Sequence, residues 1–465
     1  MMGRWFAQKN RRSIMDDVKI KYSEVVVAVD LGSRNIRGVI GHKTKEGKLD
    51  VLRTISVPSE NCIVNGVVIN IDSAALQIKQ LIMKLRNLLN GMLNSSSDDP
   101  SVRISYDITD VYVGLHGKSI HGEVNELSHC LGPDPVSEEI VHSMEIENKR
   151  MRIDASRRII DVVPLEYSVD GMVVDNPVGC VCHELRARFL NVHAESYVLD
   201  NLNKCFDRIN ESSSSDAASI IKVTPHYVLS SCHLSDAVLS SGQKEVGCML
   251  LDFGAQTTSL SIYHEKKLRY LHVFNFGSDL ITDDIASLRL PWGMSEKLKT
   301  DFGHAMQSMV VKPVVVDLGG GREVDTLTLA GIIESRVSDF LARIGSAMML
   351  SGYSAHIDSI VVVGGGSKLG NMIEKIEKET GIPTRFGDVR VLSSDSEAEK
   401  FADVSYASVM GVMMSAEVGG VIVRDSSEVR HKKSKKDSKT GWILPSLWVK
   451  VKDRVEGKVD EFFEE

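Results

Sequence analysis

The sequence predicts an α/β protein built from two duplicated lobes, and three stretches predict it. Residues 25–38 read VVVAVDLGSRNIRG, residues 249–259 read MLLDFGAQTTS, and residues 360–372 read IVVVGGGSKLGNM. The first two share one plan: an apolar β-branched run, an Asp, one further residue, a Gly, then small or hydroxyl residues entering a hairpin. Gly32 and Gly254 carry no Cβ, so backbone N–H groups there can crowd a phosphate. Asp30 and Asp252, at the strand ends, suit a metal ion or its water shell beside such phosphates. A single Asp-x-Gly turn is weak evidence, but one in each half of the chain predicts lobes closing on one nucleotide. In the third stretch a strand meets Gly364, Gly365 and Gly366 before a helix expected over 371–380. Consecutive glycines at a strand-to-helix junction let backbone lie flat against a nucleotide.

Composition sets the outer limits. A chain of 465 residues with 43% hydrophobic content fills two large lobes and is too apolar for disorder. It has no apolar run of about 18 residues, so no transmembrane helix is expected. The start, MMGRWFAQKNRRSIMDD, is basic but lacks an apolar core and a cleavage site, and reads as a flexible arm over 1–23. Seven cysteines form no CxxC pair; Cys180, Cys182 and His183 read as thiols in a reducing compartment rather than a metal site. A net charge of −8 argues against nucleic-acid binding by the body of the protein.

The elements follow in order. Strands over 24–41 and 49–56 open the first lobe, and a helix over 72–93 sets Leu76, Leu81, Leu85, Leu88 and Leu89 largely on one face. SSSDDPS at 95–101 breaks the chain. A compact segment then alternates strand 110–115, strand 119–125, helix 137–151 and strand 158–167. Ser137, Glu138 and Glu139 mark that helix's start, with acids at the positive end of the dipole. A strand over 185–194 and a helix over 196–209 return to the first lobe before a Ser-rich loop at 212–215. The second lobe starts near 246 and carries a long insertion over 276–345. Within it DLGGG at 317–321 imitates a phosphate loop, but Arg322 and Glu323 follow, so a hairpin turn is expected.

From 424 the composition changes. RHKKSKKDSKTG is a basic linker without apolar period. Beyond Pro445, Trp448, Val451, Val455, Val459 and Phe462 recur at spacings of three and four, one face of an amphipathic helix. A membrane-surface anchor is the favoured reading, over docking on a protein or folding back on the body. Burying five large apolar side chains contributes at most about 1.5–3 kcal/mol each, against about 1–2 kcal/mol per residue ordered. One copy therefore binds reversibly and an array holds firmly. The acidic end, 460–465, opposes both anionic lipid and the helix dipole.

The order of two loops and a glycine platform is that of the actin-like ATPase superfamily, and other segments narrow it. FGSDLITDDIASLRLP at 276–291 resembles the GGD-x-V-T-x-DIA stretch of the bacterial cell-division protein FtsA. VVPLEYSVDGMVVDNPVG at 162–179 is similar to its VIPQEYxVDGxxxIxDPVG, and YASVMGVMM at 406–414 to its YATAVGLL. The resemblance implies an actin-like ATPase fold with an FtsA-type 1C subdomain and a C-terminal amphipathic helix. Its parts would be arm 1–23, subdomain 1A over 24–101 and 178–245, 1C over 102–177, 2A over 246–275 and 346–423 with a return to 1A, 2B over 276–345, linker 424–440 and membrane-targeting helix 441–465.

The resemblance also implies ATP with Mg2+, polymerisation, docking of the FtsZ C-terminal peptide on 2B, and recruitment of later division proteins through 1C. The place implied is the cytoplasmic face of the inner membrane at the division septum, as a peripheral protein on anionic lipid. Asp30, Gly32 and Ser33 would meet phosphate and metal from the first lobe, and Asp252, Gly254, Thr257 and Thr258 from the second. Gly364, Gly365 and Gly366 would pass under adenosine. Glu296 and Lys299, one turn apart, would reach ribose or adenine, or else form a surface ion pair. Many members carry a Lys where this chain has Asn35; Arg34 and Arg37 lie nearby. Thr224, before Pro225, stands where much of the superfamily has a Glu opening a linking helix, which implies slow turnover at most. Two alternatives stay open: an inner-membrane assembly scaffold of the PilM type, and a sugar or acid kinase, for which no sugar-facing catalytic Asp is apparent.

Overall fold

The computed structural model describes residues 25–43, 49–95, 104–151, 154, 156–211, 221–389, 391–392, 403–416 and 421–424. The N-terminal arm and the linker and helix expected beyond 424 lie outside the described residues. No described helix is long and apolar enough to cross a membrane.

Strand β1 (Val26–Leu31) is buried along its whole length and pairs antiparallel with β2 (Asn35–Lys43), Val29 opposite Gly38. β2 pairs antiparallel with β3 (Leu49–Pro58). Helix α1 (Ile71–Ser95) covers this sheet with Ile78, Leu81, Ile82, Leu85 and Leu89. Leu76 and Leu88 leave the expected stripe and are 54% and 42% exposed. The buried positions run 78, 81, 82, 85, 89; Leu76 lies on the opposite face and Leu88 at the edge of the stripe beside the row of Leu81.

After β4 (Asp110–Leu115), parallel to β1, the chain leaves the lobe. β5 (His121–Cys130), α2 (Glu138–Arg150), β6 (Arg157–Val169), β7 (Met172–Val174) and β8 (Glu184–Glu195) make an antiparallel sheet in the order β7–β6–β8–β5. Ser137 Oγ accepts from Ile140 N at the start of α2, the expected cap. The insertion has its own core of Val136, Met144, Tyr167, Leu185, Ala187 and Phe189. Its strands run longer than expected, and along much of β5 exposed residues alternate with half-buried ones.

Helix α3 (Ser196–Glu211) returns to the first lobe, followed by β9 (Thr224–Leu229) and α4 (Ser230–Val238). Pro225 therefore opens no helix. It lies in β9, the edge strand beside β4, where a residue without N–H is tolerated.

The second lobe repeats the plan. β10 (Cys248–Phe253), β11 (Thr258–His264) and β12 (Lys267–Phe274) form consecutive antiparallel pairs. Helices α5 (Ser278–Ala286) and α6 (Trp292–Phe302), hairpin β13 (Val315–Gly319) and β14 (Arg322–Asp325), and long helix α7 (Thr326–Leu350) follow. DLGGG is the hairpin turn, with Gly319, Gly320 and Gly321 all at positive φ. β15 (Ser359–Val363) runs parallel to β10, then come α8 (Met372–Thr380) and β16 (Thr384–Phe386). The two sheets have one order, β3–β2–β1–β4–β9 and β12–β11–β10–β15–β16, with Val391–Leu392 added beside β3. The second core is largely aliphatic and includes a phenylalanine cluster, in which Phe276 stacks on Phe340 with ring centres 4.4 Å apart.

Helix α9 (Ala407–Ser415) crosses back to pack on the first lobe with Val409, Met410, Val412 and Met413. The insertion also touches the second lobe. Arg269 of β12, 8% exposed, donates from Nη1 to the Leu165 carbonyl of β6 at 3.0 Å.

Candidate functional site

Both Asp-x-Gly turns and the glycine platform end their strands at one cavity of about 500 Å³ between the lobes. Asp30 closes β1 and Asp252 closes β10, because each apolar run buries its strand up to the first carboxylate. In the second turn Gly254 N donates to Thr257 O at 2.9 Å, and α5 begins directly above it, with Ser278 N on Gly254 O and Asp279 N on Ala255 O. In the first, Gly66 N donates to Ser33 Oγ at 3.1 Å and the Ser59 hydroxyl to Ser33 O. A Cβ on Gly32 would stand 2.5 Å from Asn35 O, and one on Gly254 2.8 Å from Thr257 O. At Gly364 the backbone has φ +88 and a Cβ would meet Asp252 Oδ1 at 2.4 Å, so only glycine fits there. Gly365 to Lys368 form one 3-10 turn before α8, and the expected helix starts at Met372.

Asp30, Gly32, Ser33, Asp252, Gly254, Thr257, Glu296, Lys299, Gly364, Gly365 and Gly366 all line this cavity. Thr258 does not. It is fully buried and its hydroxyl donates to Phe276 O at 2.9 Å. Side chains alternate along β11, so Thr257 and Ser259 face the cavity and Thr258 faces away. Glu296 and Lys299 are ion-paired at 2.7 Å in the cavity wall, with Lys299 7% exposed, so this is no surface pair. Lys299 Nζ also donates to Ser278 O and Thr282 Oγ1, which uses its three hydrogens within the protein.

Asp252 and Asp30 carry like charge into one space. Burial pushes the Asp252 carboxyl above the usual carboxylate range and the Asp30 charge adds to that, while the Ser408 hydroxyl, His116 and Arg37 oppose it. Ser408 Oγ donates to Asp252 Oδ2 at 2.8 Å, whereas Asp30 Oδ1 makes no hydrogen bond among the described residues. An orphaned carboxylate oxygen, a second carboxylate, hydroxyls and glycine-lined backbone are a donor set of hard oxygens and N–H groups. That set fits a divalent cation with phosphates. Arg34 and Arg37 both line the cavity; Arg34 crosses it to the other lobe, pairing with Asp279 at 2.7 Å and stacking 3.9 Å from the Trp292 ring centre.

Sequence reasoning missed His116, Ser230, Ser231, Ser259 and Ser408, all on the cavity. Strand alternation would have found Ser259. The others follow only from which strand ends meet. Thr224, expected near the reacting phosphate, is exposed at the opposite end of β9, about 20 Å along the strand from Ser230. It does not line the cavity, so the slow turnover it implied has no support from its position.

Two lobes of one sheet order around glycine-lined turns define an actin-like ATPase fold. The PilM–PilN type IV pilus biogenesis complex has a chain of this fold, at TM-score 0.56 and 13% identity, covering 85% of this chain and 98% of that one. Residues 249–411 match the model of "Cell division protein FtsA" and residues 117–193 that of the "SHS2 domain inserted in FTSA", together just over half of the chain. Cell division protein FtsA of Porphyromonas gingivalis is 26% identical over 371 residues, 78% of this chain and 72% of that protein. That of Borreliella burgdorferi is 24% identical over 434 residues, 90% of this chain and 98% of its own length. The chain belongs to the FtsA family of actin-like cell-division proteins.

Proposed function

We propose that this chain binds ATP with Mg2+ between its lobes, self-associates, and tethers FtsZ filaments to the cytoplasmic face of the inner membrane at the division site. The observation that carries the nucleotide part is the pair of inward carboxylates, Asp30 and Asp252, beside three glycine turns whose Cβ positions are blocked. Asp30 and Asp252 would hold Mg2+, which supplies charge neutralisation of the phosphates. Gly32, Ser33, Gly254 and Thr257 present backbone and hydroxyl donors to phosphate, with Arg37 as the cation. Gly364, Gly365 and Gly366 pass under adenosine. Lys299 is spent internally, so Glu296 is the member of its pair left for ribose or adenine.

Family membership supports the rest. The FtsZ C-terminal peptide docks within 276–345, later division proteins bind the 1C insertion over 102–177, and the helix at 441–465 binds anionic lipid through Trp448, Val451, Val455, Val459 and Phe462. Two measurements test this. A labelled FtsZ C-terminal peptide titrated with the full chain should show saturable micromolar anisotropy; no change at hundreds of micromolar removes the FtsZ partner. Full chain should pellet with anionic liposomes, and chain lacking 424–465 or carrying Trp448→Glu should not, because a carboxylate in the apolar face opposes insertion. Equal pelleting rejects the anchor.

A further inference from the structure

The seam between the insertion and the second lobe is built around histidines. β5 and β8 set His121 and His193 directly opposite each other, with ring centres 5.8 Å apart. His193 is 2% exposed, and its Nδ1 has no hydrogen-bond partner among the described residues. This corner of the insertion rests on the outer strand of the second lobe. A Cβ on Gly122 would stand 3.4 Å from Leu271 O and 3.5 Å from Leu271 Cβ. The next residue of β12 is His272, whose ring centre lies 6.4 Å from that of Tyr270 and 4.5 Å from that of Phe274. Counter-charge at this corner is thin. Glu195 favours a protonated His121, and Glu123, 62% exposed, stands 3.7 Å from His193 Nε2. Against them, Arg157 of β6 repels a proton on either ring of the pair. Further along the seam β12 adds Arg269, and Lys267 at 3.9 Å from the exposed Asp175.

We propose that His121, His193 and His272 make this seam a proton-sensitive joint, tight while the three rings are neutral and loosened as they become charged. Burial holds all three imidazoles below the usual histidine range. Arg157 presses His121 and His193 further down, and charge on His121 does the same to His193 and His272. The tight seam therefore binds fewer protons than the loosened one. Docking is complete above about pH 6.5, the ordinary value of a free imidazole, and declines as pH falls below it. A loosened insertion keeps its two chain connections to the first lobe and gives up its hold on the second.

Amide hydrogen exchange of the full chain, read by mass spectrometry from pH 7.5 to 5.5 with the intrinsic pH dependence divided out, tests this. Protection of peptides spanning 119–124 and 268–274 should fall about tenfold or more over that range, while the core strand at 248–253 keeps its protection. The triple variant His121→Gln, His193→Gln, His272→Gln should hold seam protection constant with pH. Arg157→Gln keeps every imidazole and covers the case in which the triple variant fails to fold. It lets the tight seam bind protons more readily, so its loss of protection should be smaller than in wild type. Seam protection that does not change with pH overturns the proposal. So does a fall shared equally by 248–253, which is acid unfolding of the whole chain. A fall that persists undiminished in the variants places the titrating groups elsewhere and overturns it too.

Discussion

The two Asp-x-Gly turns have the same backbone plan and different commitments. The second bonds mostly within its own lobe, Gly254 to Thr257 and α5 to the turn's carbonyls, and reaches the first lobe where Asp252 accepts from Ser408 and Gln256 Oε1 from Asn65 N. The first spends its bonds outward, on Ser59, Gly66 and, through Arg34, on the opposite lobe, while Asp30 Oδ1 stays unpaired. Duplication preserved the strand–turn geometry and let the side chains diverge. The second turn has its carboxylate bonded by Ser408, and the first leaves Asp30 Oδ1 unpaired on the cavity.

Four substitutions break or sharpen that contrast. Gly364→Ala should have the largest effect, since its methyl would collide with both Asp252 and Phe253 O at 2.4 Å in a left-handed conformation. Loss of about 2 kcal/mol or more in urea unfolding is expected, together with loss of nucleotide binding. Next, Asp252→Asn should lower Mg2+-nucleotide affinity by about tenfold or more while making the ligand-free protein harder to melt at pH 7. The sign follows from the raised Asp252 carboxyl. The native state holds that proton more tightly than the unfolded chain, so stability falls as pH rises through the raised value, and an uncharged amide escapes the loss. The thermal advantage should shrink as pH falls toward about 4, the range of an unfolded carboxylate.

Arg34→Ala removes a part-exposed ion pair and a stacked guanidinium. It should cost about 0.5–1 kcal/mol and change Trp292 fluorescence, with the ion-pair share disappearing in high salt. Thr258→Val is the smallest, about 1 kcal/mol or less in unfolding from the lost bond to Phe276 O, with nucleotide affinity unchanged. A drop in affinity there would return Thr258 to the site.

What the sequence made legible was local. An apolar run ending in Asp-x-Gly forces a buried strand and a tight turn whatever surrounds it, so both loops and the glycine platform could be read directly. The insertion's helix start at Ser137 was equally plain. Thr258 was misread because two adjacent hydroxyls in a strand cannot face one way. Thr224 was misread because a Pro that looks like a helix opener sits instead on a sheet edge, where its missing N–H is harmless. His116, Ser230 and Ser408 carry no local signature. Each reaches the cavity because β4 and β9 end there and α9 begins there, which is a property of topology and not of spacing.

Arg269 gives the last of these contacts a mechanical meaning. The 1C insertion is threaded into the first lobe between β4 and α3, yet it is fastened to the outer strand of the second lobe through the Leu165 carbonyl. Arg34 and Asp279 fasten the lobes again beside the cavity. Asn65 N on Gln256 Oε1 and Ser408 Oγ on Asp252 Oδ2 bridge them as well, so opening the cleft would break several weak contacts spread along it. The Arg269 contact lies on β12 and so ties the insertion to the second lobe as well as to the first, into which it is threaded.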